Sequence, residues 1–243
     1  MFAAPTQRSL MEPSNDEVRL VAVLVSATIL YLAYHLLIDK KVVARLFPTE
    51  SVDDARLRTR VAFWRRWLGA VLFGVLPALP VVLFMPGGLG AVGLALGDVV
   101  KGAWMSGAFV AFLLPFVVFQ ARRASFRELY PEVRMPLVGR TAIWSAISWA
   151  AYLVAYELFF RGFLVLGIAP IVGPLPAIAI SLMGYVFVHL GKHPGEAVGT
   201  LVSGTWFGIV ALESGSVLGP ILAHLAMALA TDYFASRRLS SPK

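Results

Sequence analysis

The sequence contains no cysteine and few charged residues. Of its 243 residues, 14% are charged and 58% are hydrophobic, and the mean hydropathy is +0.77. A soluble domain carries roughly 25% charged residues, so this composition indicates a protein of the lipid bilayer. The lack of cysteine excludes thiol nucleophiles, disulfides and thiolate metal sites. With four histidines and fourteen acids, the chain offers few side chains from which a catalytic site could be built.

The net charge of +7 does not indicate nucleic-acid binding, because the basic residues lie in segments between apolar runs. Basic residues in such places set membrane topology and contact anionic lipids. Basic-rich and basic-poor loops alternate along the chain. We therefore expect a multi-pass protein of a prokaryotic plasma membrane, with its N-terminus outside and its C-terminus inside.

Apolar runs of about 20 residues are long enough to cross a bilayer as helices. They predict an all-α, polytopic transmembrane bundle of about seven spans. The range is six to eight, because the glycine-rich piece 87–97 is too short to cross but is a candidate re-entrant segment. The predicted spans are 20–38, 67–85, 102–119, two within 141–190, 197–212 and 217–235.

The sequence has no internal repeat or linker, so it reads as one domain with four regions. These regions are a polar N-terminal segment at 1–19, three spans with basic cytoplasmic loops at 20–140, a core that carries the candidate site at 141–235, and a basic tail at 236–243.

Two basic loops are predicted to contain short interfacial helices. Residues 51–54 and 125–128 each have Ser followed three residues later by an acid, the spacing of a capping box. The first of them leads into Arg-rich sequence with Trp64 and Trp67, a mixture typical of a helix that lies in the headgroups.

The ionisable residues Glu157, Arg161, His189 and His224 lie within the apolar runs of the C-terminal half, and Asp232, in the last run, is a further candidate. An ionised side chain at the bilayer centre costs about 2.5–3.5 kcal/mol on insertion scales. Glu157 and Arg161 are four residues apart, so they can pair on one helix face. That pair alone is equally well explained as a structural link. An acid together with two imidazoles, however, provides the groups needed to activate water.

Three segments resemble the motifs of the CAAX-protease and bacteriocin-processing (CPBP, or Abi) family of intramembrane proteases. Those motifs are Glu-Glu-x-x-x-Arg, Phe-x-x-x-His and His-x-x-x-Asn, and the resemblance covers about residues 141–235. The matching segments are Tyr156-Glu-Leu-Phe-Phe-Arg161-Gly, Tyr185-Val-Phe-Val-His189 and Gly215-Ser-Val-Leu-Gly-Pro-Ile-Leu-Ala-His224.

The resemblance implies an intramembrane endopeptidase that cleaves membrane-associated or lipidated proteins with water activated by Glu and His. It implies that the catalytic residues are Glu157, Arg161, His189 and His224. The implied partners are a membrane protein or lipidated peptide as substrate, with anionic lipids at the basic loops and no nucleic acid. No cofactor is firmly implied.

Two positions depart from the family pattern. Tyr156 stands where the family has its first glutamate, the water-activating base, and Ala228 stands where an asparagine would help to bind the oxyanion. One reading is that Glu157 takes over as general base, His189 shares the water, and His224 and the Tyr156 hydroxyl donate to the oxyanion. Adjacent helix positions point about 100° apart, so this reading needs a rotated or unwound helix.

The other reading is a catalytically impaired family member that acts as a membrane scaffold or peptide-binding protein. A transporter or proton relay ranks below both, because transporters commonly show internal repeats and none is found. A metal such as zinc, held by Glu157, His189 and His224, is the second-ranked mechanism, since two histidines and one glutamate form a known zinc set.

Three further residues are predicted to support the site. Tyr185 replaces the phenylalanine of the second motif. Glu196 is expected to pair with Lys192 or His193 at the cytoplasmic mouth, or to be a solvated loop charge. Asp232, eight residues past His224, would orient that histidine or meet the headgroups.

Overall fold

The computed structural model describes residues 14–48, 55–189 and 194–239, without the side chains of residues 40, 194–197, 238 and 239. Within these ranges the chain forms helices and no strand. The helices are α1 (Asn15–Leu37), α2 (Lys40–Leu46), α3 (Ala55–Gly69), α4 (Leu76–Phe84), α5 (Val99–Gln120), α6 (Ala124–Leu129), α7 (Gly139–Glu157), α8 (Ala169–Val172), α9 (Pro174–His189), α10 (Pro194–Ser214) and α11 (Leu218–Leu239). Two π-helical segments, Ala70–Val75 and Leu158–Leu166, continue α3 into α4 and extend α7, and a 3-10 helix covers Gly88–Val92.

Five helical stretches of the described chain are long and apolar enough to cross a membrane, and two shorter apolar helices accompany them. In order they follow the predicted spans, so the predicted all-α membrane bundle is confirmed. The five are Asn15–Leu37, Ala55–Phe84, Val99–Gln120, Gly139–Val172 and Leu218–Arg237, and the shorter two are Pro174–His189 and Val198–Ser214.

The stretch Gly139–Val172 forms the centre of the bundle. Of its most apolar 18-residue window, 72% is buried inside the protein, against 6% for Asn15–Leu37. The exposed side chains of the outer helices are mostly apolar, as expected where lipid replaces water. The main core is built from aromatic and aliphatic side chains around the π segment of the central stretch.

The second span begins earlier than predicted. Instead of an interfacial helix followed by a span at 67–85, the chain forms one helical stretch, Ala55–Phe84, that contains both Trp64 and Trp67. No glycine or proline interrupts residues 55–68, so nothing separates the Arg-rich part from the apolar part. Arg66 is 2% exposed and lies inside the bundle, where it pairs with the partly exposed Glu132 and the buried Asp232.

The predicted capping box at 125–128 is also wrong. Helix α6 begins at Ala124 with Arg123 as its N-cap and without a side-chain cap. The chain already turns after α5, where the amides of Arg122 and Arg123 bond to the carbonyls of Phe119 and Gln120, so Ser125 falls inside the helix. The other predicted box, 51–54, lies outside the described residues.

Helices α9 and α10 pack closely through two glycines of α10. A Cβ at Gly204 would lie 2.6 Å from Leu182 Cδ1 and 3.0 Å from Tyr185 Cδ1, and one at Gly208 would lie 3.0 Å from Ile178 Cγ1. The small-xxx-small spacing of these glycines lets two backbones approach. This contact brings α10 against the end of α9 that carries His189.

We predict that Gly204→Val destabilises the protein, because a branched side chain must displace Leu182 and the Tyr185 ring; overpacking of this kind costs about 1–3 kcal/mol. Gly199→Val, on the same helix, is the matched control, since nothing lies within 4 Å of a Cβ at that position. Thermal unfolding in detergent micelles measures both. Equal midpoints for the two variants would contradict the packing role.

Candidate active site

Glu157 is the last residue of α7, and the π segment Leu158–Leu166 begins directly after it. A π-helix bonds i to i+5, so it is wider than an α-helix, and such segments are frequent at functional sites. Tyr156 and Glu157 both lie in α7, before the π segment, so the rotated or unwound helix that a general-base role of Glu157 would need is not found between these two positions. Both residues are buried, with 1% and 0% exposure.

Arg161 is the buried counter-ion of Glu157. Its Nη1 lies 3.2 Å from Glu157 Oε2, and the two side chains are 1% and 0% exposed. The guanidinium carbon lies 4.1 Å from the centre of the Tyr185 ring, a cation–π contact, and Nη2 donates to the Gly204 carbonyl at 3.5 Å. The i, i+4 pair predicted from sequence therefore exists, and Tyr185 supports its cation.

His224 on α11 bonds to the other oxygen of the carboxylate. Its Nδ1 lies 2.6 Å from Glu157 Oε1. Since an ionised carboxylate only accepts, Nδ1 is the donor of this bond, and in the neutral tautomer that carries this proton Nε2 is an acceptor. The His224 side chain is 22% exposed and that of Glu157 is 0% exposed, so the imidazole is the accessible partner of this pair.

His189, at the end of α9, belongs to the same site. Its Nδ1 donates to the Tyr185 carbonyl at 2.9 Å. The Tyr156 ring centre lies 6.5 Å from that of His189 and 5.7 Å from that of His224. The aromatic ring of Tyr156 is thus close to both imidazoles.

A cavity of about 530 Å³ opens beside these rings. Its wall includes Tyr156, His189, His224 and Ala228, but not Glu157 or Arg161. The Tyr156 hydroxyl is buried and has no hydrogen-bond partner within the described part of the chain. A buried, unpaired hydroxyl is costly, and a ligand carbonyl in the cavity would satisfy it.

The proposed metal set does not fit the described geometry. Among the described residues, no group of three or more His, Asp or Glu side chains is placed to hold a metal ion. Glu157 uses one oxygen for the Nδ1 proton of His224 and the other for Arg161. No step in the chemistry below therefore passes through a metal.

Asp232 does not orient His224 and does not lie at the headgroups. It is 4% exposed, accepts a 2.7 Å hydrogen bond from Trp149 Nε1, and lies 3.8 Å from Arg66 Nη2. Eight helical residues span about 12 Å, which separates Asp232 from His224. The side chain of Glu196, the other supporting acid, lies outside the described residues.

Arg66 is the residue that the sequence reasoning missed. Its guanidinium lies 3.7 Å from the Trp149 ring centre, donates to the Ser145 and Ser148 hydroxyls at 3.1 and 3.2 Å, and pairs with Glu132 at 3.3 Å. The sequence places Arg66 in the basic loop before the predicted span 67–85, among the charges expected to set topology. No local spacing reveals these partners, because they lie 66 or more residues away.

We predict that Glu157→Ala destabilises the protein by about 3–5 kcal/mol, because it leaves the Arg161 cation buried and uncompensated. The double variant Glu157→Ala/Arg161→Met should recover much of this loss, since it removes both charges. Glu213→Ala is the control: it breaks the exposed Lys101–Glu213 pair, and exposed pairs contribute about 0–1 kcal/mol. Denaturant unfolding in micelles measures all three. A Glu157→Ala variant as stable as Glu213→Ala would refute the buried pair.

Comparison with known proteins adds the family. Residues 138–230 match the model of the family described as Type II CAAX prenyl endopeptidase Rce1-like, which is less than half of the chain. Neither the search of curated proteins nor the search of solved structures gave a match. The family indicates a CAAX-type intramembrane protease, in agreement with the apolar helices. The resemblance that the sequence motifs predicted is thus confirmed: residues 138–230 are similar to the Rce1-like type II CAAX prenyl endopeptidases, which is consistent with a CPBP-family protein.

Proposed function

We propose that the protein is an intramembrane endopeptidase that hydrolyses a peptide bond of a lipidated or membrane-associated protein in the cavity beside His224. The observation that carries this proposal is the 2.6 Å hydrogen bond from His224 Nδ1 to the buried Glu157 carboxylate. It fixes the tautomer whose Nε2 accepts a proton, on a residue that lines the cavity. The family match supports the same class of reaction.

In the proposed reaction, His224 Nε2 takes a proton from a water molecule, and the water oxygen bonds to the substrate carbonyl carbon. The negative charge then grows on the carbonyl oxygen, which accepts a hydrogen bond from the Tyr156 hydroxyl. The protonated His224 next gives its proton to the leaving amide nitrogen as the C–N bond breaks. The products are one carboxylic acid and one amine, so atoms and protons balance.

Glu157 acts through His224 in this scheme rather than on the water. Its carboxylate is 0% exposed and is not part of the cavity wall. It stabilises the imidazolium that forms when His224 takes the proton, as a buried carboxylate does in a catalytic triad. Arg161 pairs with Glu157 at 3.2 Å, while His189, which also lines the cavity, assists in holding the water.

The cavity suits a substrate with a large apolar part. Between its polar residues the wall is apolar, with side chains contributed by several helices of the bundle; examples are Phe109, Phe112, Leu113, Phe116, Val188 and Met227. Burying apolar surface stabilises a complex by about 25 cal/mol per Å². A lipid chain or hydrophobic peptide segment would provide such surface. Anionic lipids would bind the basic loops.

A second candidate is a family member that binds such a peptide without cleaving it. Ala228 lines the cavity where the family motif has an asparagine, so its side chain provides no donor to an oxyanion. The same cavity would then hold a peptide, and the protein would act as a scaffold.

We predict that purified protein cleaves a prenylated or transmembrane test peptide, and that His224→Ala lowers kcat about 10²–10⁴-fold, the usual contribution of general acid–base catalysis. Tyr156→Phe should lower kcat about 10²–10³-fold, the effect of removing one oxyanion donor. Mass spectrometry of the products over time provides both rates.

Glu213→Gln, at the exposed Lys101 pair, is the control and should cleave at the wild-type rate. Cleavage that persists in His224→Ala would refute the proposed base. Binding of the peptide by folded wild-type protein with no cleavage of any test peptide would select the scaffold. Loss of cleavage in chelator, restored by zinc, would replace the acid–base scheme with metal chemistry.

We also propose that the N-terminus lies outside and the C-terminus inside a prokaryotic plasma membrane, as the positive-inside rule implies. Since the chain has no cysteine, a single introduced thiol reports on one loop. We predict that a membrane-impermeant maleimide labels Glu213→Cys in intact bacterial cells, but labels Arg123→Cys only after the cells are permeabilised. The reverse pattern would invert the topology.

A further inference from the structure

Helices α7 and α11 are joined by two hydrogen bonds between side chains. Glu157 accepts from His224 at 2.6 Å, and Trp149 donates to Asp232 at 2.7 Å. Trp149 is eight residues before Glu157, and Asp232 is eight residues after His224. The two helices therefore run antiparallel, with matched spacing between the two bonds.

Because the two bonds are eight residues apart on both helices, both depend on the same register of α11 against α7. Eight residues of α-helix are about 12 Å long, so the Trp149–Asp232 bond lies about two turns from the candidate catalytic bond. Sliding α11 along α7 by one residue would shift it by about 1.5 Å. Such a slip would break both bonds at once, because neither acceptor could follow its donor.

Arg66, on a third helix, α3, contacts both partners of the Trp149–Asp232 bond. Its guanidinium lies 3.7 Å from the Trp149 ring centre, 3.3 Å from Glu132 and 3.8 Å from Asp232. Arg66, Trp149 and Asp232 are 2%, 7% and 4% exposed, so water competes little for these contacts. Glu132 adds a fixed negative charge from the segment between α6 and α7.

We propose that Arg66, Trp149 and Asp232 form a register clamp, a group of positioning residues that fixes α11 against α7 and so holds His224 on Glu157. The catalytic part of this inference rests on the proposed function, whereas the geometric part does not. A misplacement of about 1 Å at a reacting group can cost about 10²-fold in rate. Through the clamp, Arg66 of α3 and Glu132 of the loop before α7 influence the Glu157–His224 bond, which lies about 12 Å from the Trp149–Asp232 bond.

The geometric part is tested without activity. Val154→Cys and Leu222→Cys place spin labels on the exposed faces of α7 and α11, since these side chains are 38% and 66% exposed and the chain has no other thiol. In this background, Trp149→Phe and Asp232→Ala should shift the label distance by about 1.5 Å, one residue of register, or broaden its distribution. Double electron–electron resonance spectroscopy measures the distance between the two labels.

Two variants separate a lost clamp from general damage. Asp232→Asn keeps an oxygen that accepts from Trp149, so it should retain the wild-type distance. Trp206→Phe removes another indole hydrogen bond, from Trp206 Nε1 to the Met105 carbonyl at 3.2 Å, that does not join α7 to α11. It should also leave the distance unchanged.

The catalytic part is tested by kinetics on the same variants. Asp232→Ala, at a residue that does not line the cavity, should lower kcat about 10²-fold with KM unchanged, and Asp232→Asn should restore most of the rate. Trp149→Phe should lower kcat to a similar extent, but its KM is not diagnostic because Trp149 lines the cavity. An unaltered label distance in Asp232→Ala and Trp149→Phe would overturn the clamp, and so would an altered distance with a wild-type kcat. If wild-type protein cleaves no peptide, the proposed function fails, and the label distance alone decides the clamp.

Discussion

The structure depends on one carboxylate that is buried inside a bilayer protein. Glu157 is 0% exposed and is held between Arg161 at 3.2 Å and His224 at 2.6 Å. A charge in such surroundings is tolerated only when it is paired and hydrogen-bonded. Three helical elements must therefore meet at this point: the end of α7, the π segment after it, and α11. The packing of the central stretch follows from this requirement, which also explains why it is the most buried of the candidate spans.

The aromatic residues around this carboxylate exclude water from it. Tyr156, Tyr185 and Phe207 pack near the two imidazoles or over the Arg161 guanidinium. In such a medium of low dielectric constant, each electrostatic contact is stronger than it would be in water. Glu157 is not part of the cavity wall, whereas His224, which is bonded to it, is. Burial thus strengthens the electrostatic contacts of the carboxylate and limits the groups that it can contact.

What could be predicted from sequence was what depends on neighbours along the chain. The apolar runs predicted the bundle, and the spacing of Glu157 and Arg161 predicted their ion pair, because helix geometry alone brings residues four apart together. The place of Arg66 could not be found this way. At the edge of an apolar run an arginine is usually a loop charge, and only tertiary packing reveals that Asp232 and Glu132 lie beside it. For the same reason the sequence wrongly links Asp232 to His224, which lies eight residues before it on the same apolar run.

The position of the clamp bears on how the family match should be read. The match covers residues 138–230, and Arg66, Glu132 and Asp232 all lie outside it. The matched region contains Glu157, Arg161, His189 and His224, yet the contacts that fix α11 against α7 extend beyond it at both ends. A motif specifies which side chains carry the chemistry, but the distance between them is set by helix register, which any suitably placed buried contact can hold.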